Sequence, residues 1–428
     1  MGVIDLGVVT PYEPSEPGRP RLRLIAAVLA VLSLMALTGS APPRSHALST
    51  LWTIPVNGNE DSFTLTPDGV YVLSSLGARR ITAYEPRTGR IRWTRLRPDD
   101  TSWIGVVDSG VLVAPAIDDD TTQNIAIDTG TGRQLWRRPG DAVAISAGRV
   151  LLTVGDAEGP SIRRLDVVDL HTGTVVWSHP ADRRRTWVAT GGEHPDRIAV
   201  VTADGQVTVH DFGTGRVLAA RQLPLAAGTQ HPDEPSGIGV AGHSLVLPGP
   251  DGDLSTVRLF DLTTLRERWQ VSSPSLSGFY ECGPVLCLND ANGLTGYDAD
   301  TGRVLWRRPG DGYAASLGRD RLVIETGSEG ARRVLADART GRELTDLGTG
   351  SLGYGYDSDG PFYALFLTRD PPGRTAVGEL DEHTGAIELR GALDPSADYC
   401  QSAGDLLACI TGGGRLTVTA VGPSRYAA

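Results

Sequence analysis

Four cysteines, eight histidines and a few tight clusters of aspartate are the residues of this 428-residue chain whose types could do chemistry. Cys282, Cys287, Cys400 and Cys409 fall into two close pairs, which suits two local disulfides; a four-thiolate zinc site competes, and would need all four sulfurs within tetrahedral reach. The histidines, His46, His171, His179, His194, His210, His231, His243 and His383, show no short paired spacing of the kind that grips a metal. Asp118-Asp119-Asp120 and Asp251-Gly252-Asp253 offer oxygen ligands that suit calcium, but charged loop tips are the plainer account. Neither a G-x-S-x-G elbow nor a P-loop occurs, so acyl transfer through an activated serine and nucleotide binding have no sequence support. No catalytic, cofactor or metal residue is therefore assigned.

The elements that position these residues are copies of one unit. Residues 131–141 read TGRQLWRRPGD and residues 301–311 read TGRVLWRRPGD. Looser copies place the threonine at Thr88, Thr131, Thr172, Thr214, Thr264, Thr301, Thr340 and Thr384, in steps of 43, 41, 42, 50, 37, 39 and 44 residues, the length of one four-stranded propeller blade. Three residues before each threonine stands an acid: Glu85, Asp128, Asp169, Asp211, Asp261, Asp298, Asp337 or Asp381. A short carboxylate there can accept backbone N–H groups of a tight turn, and the following glycine, replaced only by Leu265, supplies a positive φ. Five residues after the threonine comes Trp93, Trp136, Trp177, Trp269 or Trp306, with Ala219, Thr345 and Leu389 in the other copies. One large flat side chain per unit suits the wedge between neighbouring blades, where it adds buried area.

Composition agrees with an all-β chain. The 53 glycines and 28 prolines punctuate short Val, Leu, Ile and Thr runs, and no stretch holds a 3.6-residue period over ten residues. All forty basic residues are arginine, and the formal charge of −11 argues against a nucleic-acid surface, which needs a basic stripe.

From the start of the chain, residues 1–23 are polar and proline-rich and end in Arg19, Arg21 and Arg23; the span 24–43 carries no charge. Arginines before that span and almost none after it predict a cytoplasmic tail (1–23), a transmembrane helix or uncleaved signal anchor (24–41) and a linker (42–48), with the remainder outside the cell membrane. A cleaved secretory signal with a cut after Ala47 is the competing reading, and it also exports the domain. The expected propeller covers 49–422, and 423–428 form a tail.

After the eighth unit, residues 399–403, 405–411 and 415–421 supply three strands without a fourth, while residues 51–56, with Trp52, read as a lone fourth strand. Pairing the two ends would clasp the ring and remove its free edges. That makes nine units, more than the usual four to eight blades; the expectation is eight, with one degenerate unit something other than a full blade.

The repeated D-x-x-TG-x-x-x-W pattern resembles that of the pyrroloquinoline-quinone-like (PQQ-like) propeller repeats, the family of quinoprotein alcohol dehydrogenases and of an outer-membrane assembly lipoprotein. The resemblance runs over about residues 49–422. It implies that the repeat tryptophans dock adjacent blades. The dehydrogenases also carry sequence-adjacent cysteines, calcium ligands and a catalytic aspartate; no adjacent cysteine pair occurs here, and the repeated acids, Asp128, Asp169, Asp261 and Asp298 among them, belong to the turn. No cofactor is expected.

The repeat register also chooses among the three pairings that four cysteines allow. Cys282 and Cys287 flank the Gly283-Pro284 turn between a first and a second strand, and Cys400 and Cys409 occupy the matching strands of the closing unit, so Cys282–Cys287 and Cys400–Cys409 are expected. Blade topology puts the threonine-glycine turns on one rim. The opposite rim should carry the second-to-third-strand loops, with Asp118–Asp120, Asp156, Glu158, Asp251, Asp253, Asp290, Glu329 and Asp370, and the blade-to-blade linkers, with Arg137, Arg138, Arg183–Arg185, Arg307 and Arg308. Such a mixed face suits a protein or polar ligand. The expected function is a membrane-anchored extracytoplasmic scaffold that binds a protein partner and does no chemistry; a quinoprotein-like oxidoreductase is the alternative.

Overall fold

Each threonine-glycine turn joins a third strand to an outer fourth strand, and each copy folds into one antiparallel four-stranded sheet. In this computed structural model the described residues are 48–422, apart from 59, 76–78, 97–103, 108–109, 119–120, 157–158, 182–185, 192–194, 203, 225–237, 250–255, 274–275, 277, 311, 319, 328–331 and 356–360. Blades 1 to 8 span residues 62–96, 105–139, 141–180, 186–222, 239–272, 278–308, 312–348 and 351–393. The closing sheet takes three strands from 397–420 and its outer strand from Ser49–Pro55. In it Ser49 lies opposite Ala420 and Pro55 opposite Arg415, antiparallel as the lone-strand reading expected.

Among the described residues there are nine sheets, so the expectation of eight blades is corrected to nine. The degenerate units with Ala219, Thr345 and Leu389 form complete blades. Their strands come from alternating burial and tight turns, and the tryptophan acts between blades rather than within one. Nine separate apolar clusters confirm the count, each built from two successive blades; one joins Phe63 and Leu65 of blade 1 to Leu406, Ala408 and Val418 of the closing blade. Nine blades with nine shared cores make a closed ring in which no blade face is left to solvent. Burial of that apolar surface is the main stabilising term, at about 25 cal/mol per Å².

The innermost strands face the axis, and two of their free edges are covered. Tyr354–Gly355 adds a fifth strand, parallel to Gln401 and Ser402 of the closing blade. Next to it the Gln401 amide imitates a strand: its oxygen accepts from the Leu65 N–H at 2.8 Å and its nitrogen donates to the Phe63 carbonyl at 3.0 Å. Residues His46–Ala428 form one compact unit. The expected tail, anchor and linker up to residue 47, and the C-terminal tail 423–428, lie outside the described residues. Among the described residues no helix is long and apolar enough to cross a membrane.

Candidate interaction surface

The repeated turn is built as its residue types require. In the second copy the Asp128 carboxylate accepts the Thr131 N–H at 2.7 Å and the Thr131 hydroxyl at 2.6 Å, and Asp169 and Asp298 do the same with Thr172 and Thr301. The threonine hydroxyl beside Asp128 and Asp298, and the threonine N–H beside Asp169, hold these carboxyls below the usual aspartate range. At Asp261 the Arg268 guanidinium adds to this and pulls the pKa down to about 2. The first copy differs, because Glu85 pairs with Arg90 rather than with Thr88.

The tryptophans close the joints between blades. Each indole N–H donates to a main-chain carbonyl in the next blade's turn: Trp93 to Thr129, Trp136 to Leu170, Trp177 to Phe212, Trp269 to Ala299 and Trp306 to Ala338, at 2.7–3.0 Å. Trp52 of the closing strand does the same to Pro86 at 2.8 Å, so it is a sixth docking residue. The ring then lies on the turn glycine. A Cβ on Gly132 would stand 2.6 Å from the Trp93 ring, and the Gly132 φ is 71°, so glycine is required there twice over.

The three exceptions have distinct physical causes. Blade 4 offers Ala219 in place of tryptophan, and the turn it meets in blade 5 carries Leu265 in place of glycine, buried at 1% exposure with φ 51°. The bulk lost from one side of the joint is supplied by the other. Between blades 7 and 8 the Thr345 hydroxyl caps the Gly385 carbonyl. Blade 8 meets the closing blade, whose outer strand Ser49–Pro55 is not joined to its third strand Arg415–Ala420 by a threonine-glycine turn, so a tryptophan would lack that turn to lie on. Its outer strand bulges at Arg390 instead, Leu389 turns outward at 62% exposure, and Arg390 pairs with Glu379 in the interior, both 1% exposed. Glu379 faces Tyr363, whose phenol burial pushes up to about 12. Sequence reading missed this pair; the signal was a glutamate where the other third strands carry Ala, Val, Leu or Gly.

A second lock was also missed. Two residues past the tryptophan position, Arg95, Arg221 and Arg308 donate to the carbonyl of the next turn's Gly132, Leu265 and Gly341, at 3.1, 3.1 and 2.7 Å. The double arginine of the best-matched copies was its signal. These same residues correct the expected linkers: Arg137 and Arg138 lie in the outer strand Gln134–Pro139, and Arg307 and Arg308 in Val304–Arg308, because the strand runs past the tryptophan to pair with the whole third strand.

The cysteines form the two local bonds, Cys282–Cys287 and Cys400–Cys409, with Cα separations of 5.8 and 4.1 Å. Cys400 and Cys409 stand directly opposite each other in the closing blade, while Cys282 and Cys287 lie on a diagonal. All four are buried between blades.

The two rims differ in kind. On the turn rim three arginines tie blades together: Arg87 grips Asp405 at 2.6 and 2.9 Å, Arg268 joins Asp261 to Asp300, and Arg321 reaches the Glu382 and His383 carbonyls. His171 and His383 sit exposed in these turns. The opposite rim has loops of unequal length. Of the acids expected there, Asp370 is exposed, and Asp290 accepts from the Ser273 hydroxyl at 2.8 Å and the Asn292 N–H at 2.7 Å. The side chains of Asp118, Asp119, Asp120, Asp156, Glu158, Asp251, Asp253 and Glu329, with Arg183–Arg185, lie outside the described residues. Among the described residues no three His, Cys, Asp or Glu side chains converge to hold a metal.

Turn, docked tryptophan and ring closure define a nine-bladed propeller. Residues 51–235 match the model of the family described as outer membrane protein assembly factor BamB, and this match shows the PQQ-like repeat read from the sequence. No curated protein matches the chain by sequence. Among solved structures, BamB from Moraxella catarrhalis is 18% identical, covering 87% of this chain and 100% of that one, with a TM-score of 0.44. The computationally designed Ika8 protein is 14% identical, covering 87% and 99%, with a TM-score of 0.48. The dihydro-heme d1 dehydrogenase NirN in complex with DHE is 11% identical, covering 72% and 75%, with a TM-score of 0.46.

Proposed function

We propose that this propeller is an extracytoplasmic scaffold, held at the membrane by residues 24–41, that presents the rim opposite its repeated turns to a protein partner and does no chemistry itself. The observation that carries the reading is the contrast between the rims. One is nearly the same turn repeated, with its acids bonded mostly within their own turns and three arginines tied to neighbouring blades, whereas the other is made of unequal loops, where binding residues characteristically sit. The matched family's description, an outer membrane protein assembly factor, is consistent with an assembly role. Export is supported by the arginines that precede the uncharged span 24–43 and by two disulfides, which persist in oxidising compartments.

Site-specific photo-crosslinking in the native host tests the rim assignment. A crosslinker at Asn292 or Asp370 is expected to trap one discrete partner, and one at His171 or Arg339, on the turn rim, to trap none. The reverse pattern refutes the choice of rim. A stoichiometric quinone band in the purified protein overturns the scaffold reading in favour of an oxidoreductase. N-terminal sequencing that begins at Leu48 replaces the anchor with a cleaved signal.

A further inference from the structure

At the joint between blades 3 and 4 a histidine stands where the second lock has its arginine. Where Arg95, Arg221 and Arg308 donate to the next turn, blade 3 carries His179, and the Gly215 carbonyl accepts from Nδ1–H of His210 within its own blade, at 3.1 Å. His210 is 1% exposed, stacks on Trp177 with ring centroids 5.8 Å apart, and lies 4.7 Å from the His179 ring. At the matching position Tyr84 and Tyr297 stack on Trp52 and Trp269. An always-charged guanidinium and a neutral ring have thus been replaced by two imidazoles across one interface.

We infer that the joint between blades 3 and 4 is a pH-responsive joint of the ring, closed while His179 is neutral and loosened when it takes up a proton against the His210 ring.

Both ring nitrogens of His210 have partners. With Nδ1–H given to Gly215, Nε2 of His210 is left to accept the Thr208 hydroxyl at 3.1 Å. Among the described residues, the strands packed around His210 turn apolar side chains to it. Leu165 and Val167 face it from blade 3, and Ile198 and Val200 from its own sheet. On the outer strand its partner is Val217, and Arg221 is turned to blade 5. Asp211, at the turn, is committed to Thr214, and Arg149 and Arg216 lie beside that carboxylate; Arg163 is exposed on the third strand of blade 3. A proton on His179 would be carried in a partly desolvated site against a second imidazole. Burial, and then His210, hold the His179 pKa below its ordinary value. An opened joint therefore binds protons that the closed joint refuses. The stabilisation is complete above about pH 6.5 and is lost as pH falls through the lowered folded value.

Hydrogen exchange read by mass spectrometry on the full chain tests this. Between pH 7.5 and 5, after correction for intrinsic exchange, protection of Val175–Pro180 and Gln206–Asp211 is expected to fall roughly tenfold more than that of Gln134–Pro139 and Val304–Arg308, which carry arginine at the same position. His179→Arg installs the residue of the sister joints, and His210→Tyr installs the ring that stacks elsewhere; each should abolish the excess loss. Equal pH dependence at all four strands, or an excess that persists in both variants, overturns the inference. Because the readout is local to one joint, its failure leaves the scaffold reading untouched.

Discussion

Ala219 and Leu265 form a compensated pair, and exchanging them for the usual Trp and Gly is the most decisive perturbation of the joint mechanism. Leu265→Gly alone removes a fully buried leucine from the blade 4–5 core, at a cost of roughly 2–5 kcal/mol. About 1–2 kcal/mol returns because a left-handed φ no longer carries a Cβ. The net loss is about 0–4 kcal/mol, centred on about 2 kcal/mol. Ala219→Trp alone drives an indole into the Leu265 side chain, and overpacking costs typically about 1–3 kcal/mol. In the double variant the ring finds glycine beneath it and, by the register of the other joints, the Leu262 carbonyl within reach of its N–H. The double variant is therefore expected within about 1 kcal/mol of the parent, with a coupling of about 3 kcal/mol between the two sites at the middle of these ranges. Urea denaturation of the four proteins, followed by tryptophan fluorescence and by circular dichroism, gives the cycle. Additivity within about 0.5 kcal/mol would refute the argument that the two exceptions are one exchange of volume.

Four further outcomes follow from the same geometry. Glu379→Ala is expected to cost roughly 3–5 kcal/mol because it strands the buried Arg390, whereas Glu379→Leu combined with Arg390→Met stays within about 1 kcal/mol of the parent; equal losses would contradict a desolvated pair. Trp136→Ala should cost about 3–5 kcal/mol in denaturant, and a loss under about 1 kcal/mol would mean that the indole does not lock blade 2 to blade 3. The turn aspartates have lowered folded pKa values, so their stabilisation is present above about pH 4 and drains as pH falls towards 2, last at Asp261; an acid titration of the unfolding midpoint reads this, and Asp261→Asn should flatten its lowest portion. Peptide mapping without reductant should recover Cys282 joined to Cys287 and Cys400 joined to Cys409, and a Cys282–Cys400 cross-link would refute the register.

Most of the fold was legible because the chain writes it eight times. An acid three residues before a threonine-glycine step can make only a few turns, and alternating apolar residues on either side can make only strands, so hairpins, register and the pairing of Ser49–Pro55 with the last strand follow from local chemistry. Both disulfides followed as well, since a hairpin brings its own cysteines together before any longer contact forms. The blade count did not follow. Whether a degenerate unit is a blade depends on what its two faces meet, and Ala219 reads as a defect until Leu265 is seen across the joint, on a blade whose turn lies 46 residues further along the chain. Arg390 and Glu379 were hidden for a related reason. A bulge moved by two residues reverses which side chain points inward, and that bulge answers to the missing turn of a blade built from both chain ends. What a strand is, the sequence decides residue by residue; what a side chain is for, in a closed ring, is decided by the neighbour it leans on, and that neighbour is chosen only when the ring closes.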